Sequence, residues 1–243
     1  DEEAFLQQVE RLRSAGAKYV TLKTGAYRPA DLARAVKFAS EARIDLLTVD
    51  GAGGGTGMSP WRMMNEWGVP TVYLECLLYK FLKRLDGKGA FVPSCAIAGG
   101  IALEDHIFKA LALGAPYIKA ICMGRSTLTA AMVGKTQGQL LEKNYGKGEE
   151  YEEALLRTFI AAAELKEKYG ERFKEIPTSA IAVYTYYDRL TAGLKQLMAG
   201  GRKFTLNFID RNDLAALTRE AAEVSEIPYV MEADMEEIEK ILA

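Results

Sequence analysis

Four short runs rich in branched and apolar residues punctuate the first half of the chain: Tyr19 to Leu22, Ile44 to Val49 (IDLLTV), Ala90 to Ile97 (AFVPSCAI) and Tyr117 to Cys122 (YIKAIC). Runs of this length predict strands buried on both faces, as in a parallel sheet. Between them the apolar residues recur with helical spacing. Asp1 to Ser14 reads as an amphipathic helix, Pro29 stands near the start of a second that places Leu32, Ala35, Val36 and Ala39 on one face, and Leu103, Ile107, Ala110 and Leu111 form a stripe that ends at Gly114. Strand and helix in alternation make a run of βα units, so the predicted class is α/β with a parallel sheet. From Glu149 onward the pattern is helical: Tyr151 to Tyr169, a stretch through Ala182, Tyr186, Leu190, Leu194 and Leu197 that breaks at Gly200-Gly201, then Asp213 to Val224 and an acidic, exposed Met235 to Leu242.

Glycines close three of the four strands, in Asp50 to Gly57 (DGAGGGTG), Ala98 to Gly100 (AGG) and Met123 to Arg125 (MGR). Ligands of parallel sheets and barrels gather at the carboxyl ends of the strands, and backbone N–H groups there approach a phosphate most closely where side chains are missing. Gly99, Gly100, Gly124 and Arg125, the last leading into a short helix at Ser126-Thr127-Leu128, are therefore expected to form a phosphate cradle. Gly134 and Lys135, just past that helix, would extend it. For Arg125 the alternative is a structural ion pair at the rim.

Composition narrows the class. The net charge is −2 with scattered basic residues, which argues against nucleic acid as a partner. No apolar stretch reaches the ~18 residues of a membrane span, and no signal peptide opens the chain, so a cytoplasmic protein without membrane contact is expected. Cys76, Cys95 and Cys122 stand far apart, two of them inside predicted strands, and are read as buried free thiols; no metal site is expected. The single histidine, His106, falls in a helix and is read as a packing or surface residue.

The segments LKTG, TVDGAGGGTGMSPW, AIAGGIALEDHIFKALALGAPYIKAICMGRS and YTYYDRLTAGLKQLM together resemble the FMN-binding, glutamate-synthase-like barrel family, from about residue 1 to about residue 220. The resemblance implies a TIM-type (β/α)8 barrel of which this chain supplies the C-terminal half, strands five to eight. Residues 1–148 would be the FMN-binding half and 149–243 a helical extension packed on it. Four βα units leave two raw sheet edges, and a complete barrel takes ~250 residues, so a missing N-terminal half or a partner chain is expected to cover them.

The resemblance also implies chemistry. FMN would be the cofactor, with Gly54, Gly55, Thr56 and Gly57 approaching the flavin ring and substrate, and Thr56 and Ser59 offering hydroxyls near it; the alternative for these two is to cap a helix beginning near Pro60. Lys23 would lie near the pyrimidine side of the ring or a substrate carboxylate; the alternative is a strand-end lysine whose head reaches solvent. The substrate would be a 2-oxo acid or amino acid, with glutamate formed from 2-oxoglutarate and ammonia and an electron donor the sequence does not name. Two departures stand out. The glutamate synthases carry a His-Asp or Tyr-Asp pair where this chain has Ala52-Gly53, and Asp50 is read as a partial replacement. Their cysteine cluster after the last strand has no counterpart in Thr127 to Gly148, so no iron–sulfur cluster is expected from this chain. Both departures favour the alternative of a non-catalytic or assembly subunit that keeps the fold. Trp61, Met63, Met64 and Trp67 are read as core packing, or else as a lid or interface.

Overall fold

The computed structural model describes residues 1–55, 60–62 and 66–243. Its sheet has four parallel strands in chain order, β1 (Thr21–Thr24), β2 (Leu46–Asp50), β3 (Ser94–Ala98) and β4 (Ile118–Cys122). The predicted runs each yield a strand, with the bounds shifted. The first begins two residues late, and the third begins only at Ser94 because Pro93 has no N–H to give a ladder. Leu47, Val49, Cys95 and Ile97 are fully buried on one face of the two central strands, whereas the edge strands β1 and β4 are largely exposed.

Helices α1 (Glu2–Ser14) and α2 (Pro29–Glu41) form where the periodicity places them, and the rings of Phe5 and Phe38 stack between them at 5.6 Å. Pro29 supplies the preset φ of a first helical turn. The next helix, α3 (Thr71–Asp86), has no counterpart in the sequence reading, yet its pattern is regular: Leu74, Leu78 and Leu82 recur every four residues and are fully buried. It packs against α2. Helix α4 (Glu104–Gly114) precedes β4, and α5 (Arg125–Tyr145) follows it.

The chain divides into two compact units. The first comprises residues 1–101, 106–122 and 198–243, and the second 102–105 and 123–197. In the second, α5 is one helix of 21 residues and not a short one, because Gly134 and Gly138 are interior positions where the backbone meets Thr178 and Ala182. They are packing glycines, which corrects the assignment of Gly134 to the cradle. The expected helix from Tyr151 to Tyr169 is two, α6 (Glu149–Thr158) and α7 (Ala162–Tyr169), broken where Phe159 turns extended to reach a core with Leu155, Leu165, Phe173 and Ile181. Helix α8 (Thr178–Gly200) follows.

In the first unit, the helix expected over Asp213 to Val224 shrinks to α9 (Arg219–Ser225). Thr218 caps it, and Ala216 upstream pairs with Tyr229 in an isolated parallel bridge. The last helix, α10 (Met235–Leu242), is exposed on every residue. Among the described residues no helix is long and apolar enough to cross a membrane.

Candidate functional site

Side chains two apart on a strand share a face, and neighbouring parallel strands in register extend that face across the sheet. Lys23 pairs with Thr48, so it stands one step diagonally from Asp50 on the same face. The two meet: Lys23 Nζ lies 2.9 Å from Asp50 Oδ2. The ammonium is half exposed, while the carboxylate is only 8% exposed. Asp50 Oδ2 also accepts the Gly55 N–H at 3.2 Å, and a Cβ on Gly54 would fall 1.7 Å from Asp50 Oδ1. The loop thus closes over the carboxylate, and Gly54 is glycine because Asp50 occupies the space. Lys23, Asp50, Gly54 and Gly55 form one cluster. Chemically it presents an ammonium at the carboxyl end of β1, backed by a shielded carboxylate, an arrangement that can anchor an anion or stabilise developing negative charge.

The neighbouring loops are bound to one another by backbone. Gly51 donates its N–H to Ala98 O, Ala52 to Val69 O and Val69 to Ala26 O, all at 2.9–3.0 Å, which ties the exits of β1, β2 and β3 together. Thr71, the first residue of α3, completes the tie. Its hydroxyl has one proton and two carbonyl oxygens in reach, Gly99 at 2.8 Å and Ala52 at 3.0 Å. A Cβ on either Gly51 or Gly99 would lie 2.3 Å from that hydroxyl oxygen. The sequence reading missed Thr71; the only local signal is a Pro-Thr pair before an apolar run, which marks a helix start and says nothing about two glycines elsewhere.

The glycines of the expected cradle therefore serve different ends. Gly99, at φ +119°, is glycine because Thr71 and Gly51 leave no room. Gly53 lies 3.6 Å from the Gly100 backbone by the same measure, so one loop rests on the other. Gly100, at φ +76°, faces open space, and so does Gly124 in the second unit. Gly124 is the N-cap of α5, no side chain caps that helix among the described residues, and Arg125 is its exposed first residue. Helix starts of this kind favour anions. Thr56, Gly57 and Ser59, with Met63 and Met64, lie outside the described residues.

Several other expectations change. Trp61 and Trp67 are 56% and 70% exposed, so neither packs in the core. Cys76 and Cys95 are buried, with burial pushing their thiols up to about 11 and about 12, but Cys122 at the end of the edge strand is exposed. His106 lies part-buried in α4. Among the described residues no three His, Cys, Asp or Glu side chains are grouped to hold a metal ion.

Comparison with known proteins gives a family match over residues 1–134, described as the conserved region in glutamate synthase. That span holds every proposed site residue except Lys135 and ends before the Tyr184 to Met198 segment. The chain is 29% identical over 116 residues to the glutamate synthase large subunit-like protein YerD of Bacillus subtilis, covering 47% of this chain and 22% of that protein. It is 36% identical over 90 residues to an archaeal-type glutamate synthase [NADPH] of Dehalococcoides mccartyi, covering 37% of this chain and 17% of the relative. The match thus spans about a fifth of the length of these relatives.

Proposed function

Because the chain belongs to the glutamate synthase family, we propose that it is the FMN-holding part of a flavin-dependent oxidoreductase that forms an amino acid from a 2-oxo acid and ammonia, glutamate from 2-oxoglutarate being the family's case. The observation that carries this reading is the Lys23–Asp50 pair at 2.9 Å, set among glycine loops at the carboxyl ends of parallel strands. Four parallel strands in chain order, with half-exposed edges, are also what the C-terminal half of a (β/α)8 barrel would present.

The residues suit a flavin. In the first unit Gly100 leaves room for close approach of a phosphate, and Gly99 is fixed beside it by Thr71. Gly124 and Arg125, at the start of α5, belong to this reading by sequence alone. FMN, when bound, supplies the electron pair. Lys23 holds negative charge on the ring or a substrate carboxylate, and Asp50 orients the lysine and keeps the Gly54-Gly55 turn in place. Thr56 and Gly57 belong to this reading by sequence alone.

Reconstitution with FMN tests it. Flavin absorbance that stays with the chain through gel filtration, and that is lost in Arg125→Ala, is the expected result. Lys23→Met is expected to retain flavin and to slow its reduction. A chain that takes up no FMN, alone or with a separately expressed N-terminal barrel half, would leave the assembly-subunit reading, which the Ala52-Gly53 replacement favours.

A further inference from the structure

Away from the Lys23–Asp50 cluster, the first unit contains a cavity of about 830 Å³ between α3, α4 and the segment 214–227. Of the described residues assigned to the flavin, only Gly99 and Gly100 border it. Its volume falls within the ~300–1,000 Å³ of small-molecule sites, and its walls are mainly apolar, with Ala110, Leu113, Leu214, Ala216, Val224 and Ile227 among them. Among its polar lining residues one is fully buried. Glu75, on the inner side of α3, is 2% exposed, and its Oε1 has no hydrogen-bond partner among the described residues.

A buried carboxyl with an unfilled acceptor is costly. The Arg211 guanidinium, the nearest counter-charge acting on Glu75, is spent elsewhere: it donates to Leu113 O and Ser225 O and lies over the Tyr79 ring at 3.7 Å. The other titratable groups on the cavity are Cys76, His106, Lys109, Tyr73 and Glu220. His106 and Lys109 each have partners of their own. The unmet demand is thus for a hydrogen-bond donor at Glu75, beside apolar walls that exclude a strongly hydrated ligand.

We propose that this cavity binds a small molecule with an apolar body and a protonated amine, the amine donating to the Glu75 carboxyl. Such a donor makes a charge-assisted hydrogen bond, about twice as strong as a neutral one. It also offsets the desolvation that raises the carboxyl's pKa, so entry of the amine favours the ionised carboxylate. Glu75 and the apolar walls lie outside the residues assigned to the flavin, and the cavity meets that assignment only along Gly99 and Gly100 among the described residues.

Calorimetric titration of the purified chain with 2-phenylethylamine, 2-phenylethanol and 3-phenylpropionate tests it, since the three share a body and differ in the head. The amine is expected to bind saturably, about tenfold tighter than the alcohol, with proton release above pH 4.5 over the range in which the free carboxyl is still protonated, read from the dependence of the heat on the buffer's ionisation enthalpy. Glu75→Gln should abolish the proton release and weaken the amine about tenfold while leaving the alcohol within about twofold. Ala221→Trp, at an exposed lining position, should block all binding and serves if Glu75→Gln does not fold. Absence of saturable amine binding, a tighter alcohol or carboxylate, or amine binding without proton release would each overturn the proposal; a cavity filled by water alone gives the first of these.

Discussion

The hydroxyl of Thr71 lies 2.8 Å from the carbonyl oxygen of Gly99, in the space that a Gly99 side chain would need. A residue at the head of α3 therefore sets the position of the backbone at the end of β3. Thr71→Val keeps the shape and removes the hydrogen bond to a part-buried carbonyl, so a loss of ~1 kcal/mol in urea denaturation is expected. Gly99→Ala should cost more, ~2–4 kcal/mol, because its Cβ meets Thr71 and its φ of +119° is foreign to alanine. A Gly99 variant of near-parental stability would show that the two loops are not held together in this way.

Glu75 should make stability depend on pH with a definite sign. Burial holds its carboxyl well above the ordinary value of 4.5, with Arg211 pulling weakly the other way. From 4.5 upward the unfolded chain has released a proton that the folded chain retains, so this residue's contribution to stability falls as pH rises toward the folded-state value. Glu75→Gln removes that slope. Urea denaturation at mildly acidic and mildly alkaline pH should show the variant gaining on the parent toward alkaline pH, and parallel slopes would mean that Glu75 titrates normally.

The three cysteines should separate cleanly toward a thiol reagent. Cys122 is exposed, whereas Cys76 and Cys95 are buried with thiols pushed up to about 11 and about 12. Thiolate is the reactive form, so titration of the native chain with Ellman's reagent should count one thiol, and of the denatured chain three. Protection of Cys122 on mixing with an N-terminal barrel half would report coverage of the β4 edge.

In the second unit, Gly138→Ala places a methyl 2.2 Å from Thr178 Oγ1 and 2.6 Å from its Cγ2. Overpacking of this kind costs ~1–3 kcal/mol. The double variant Gly138→Ala, Thr178→Ala should recover much of that loss, measured by thermal denaturation, because the clash is with the threonine side chain. No recovery would place the strain in the backbone instead.

The sequence alone determined the α/β class, the four strands and the glycine-rich strand ends, because apolar runs, helical spacing and chain-breaking residues are local properties that survive in one dimension. It also carried the family. It failed for α3, where the run of leucines that forms a helix follows a glycine- and methionine-rich segment that drew the reading, and for Tyr151 to Tyr169, where burial of Phe159 overrides a continuous amphipathic pattern. What each glycine is for could be decided only in three dimensions. Gly51 and Gly99 are far apart in the chain and are both emptied by one threonine; Gly54 yields to Asp50, and Gly100 and Gly124 face open space. The same holds for Glu75, whose carboxyl looks like any helical surface acid in sequence and becomes a buried, unpartnered acceptor beside a cavity only when α3, α4 and the C-terminal segment come together. Space and partnership are relations between distant parts of a chain, and packing alone assigns them.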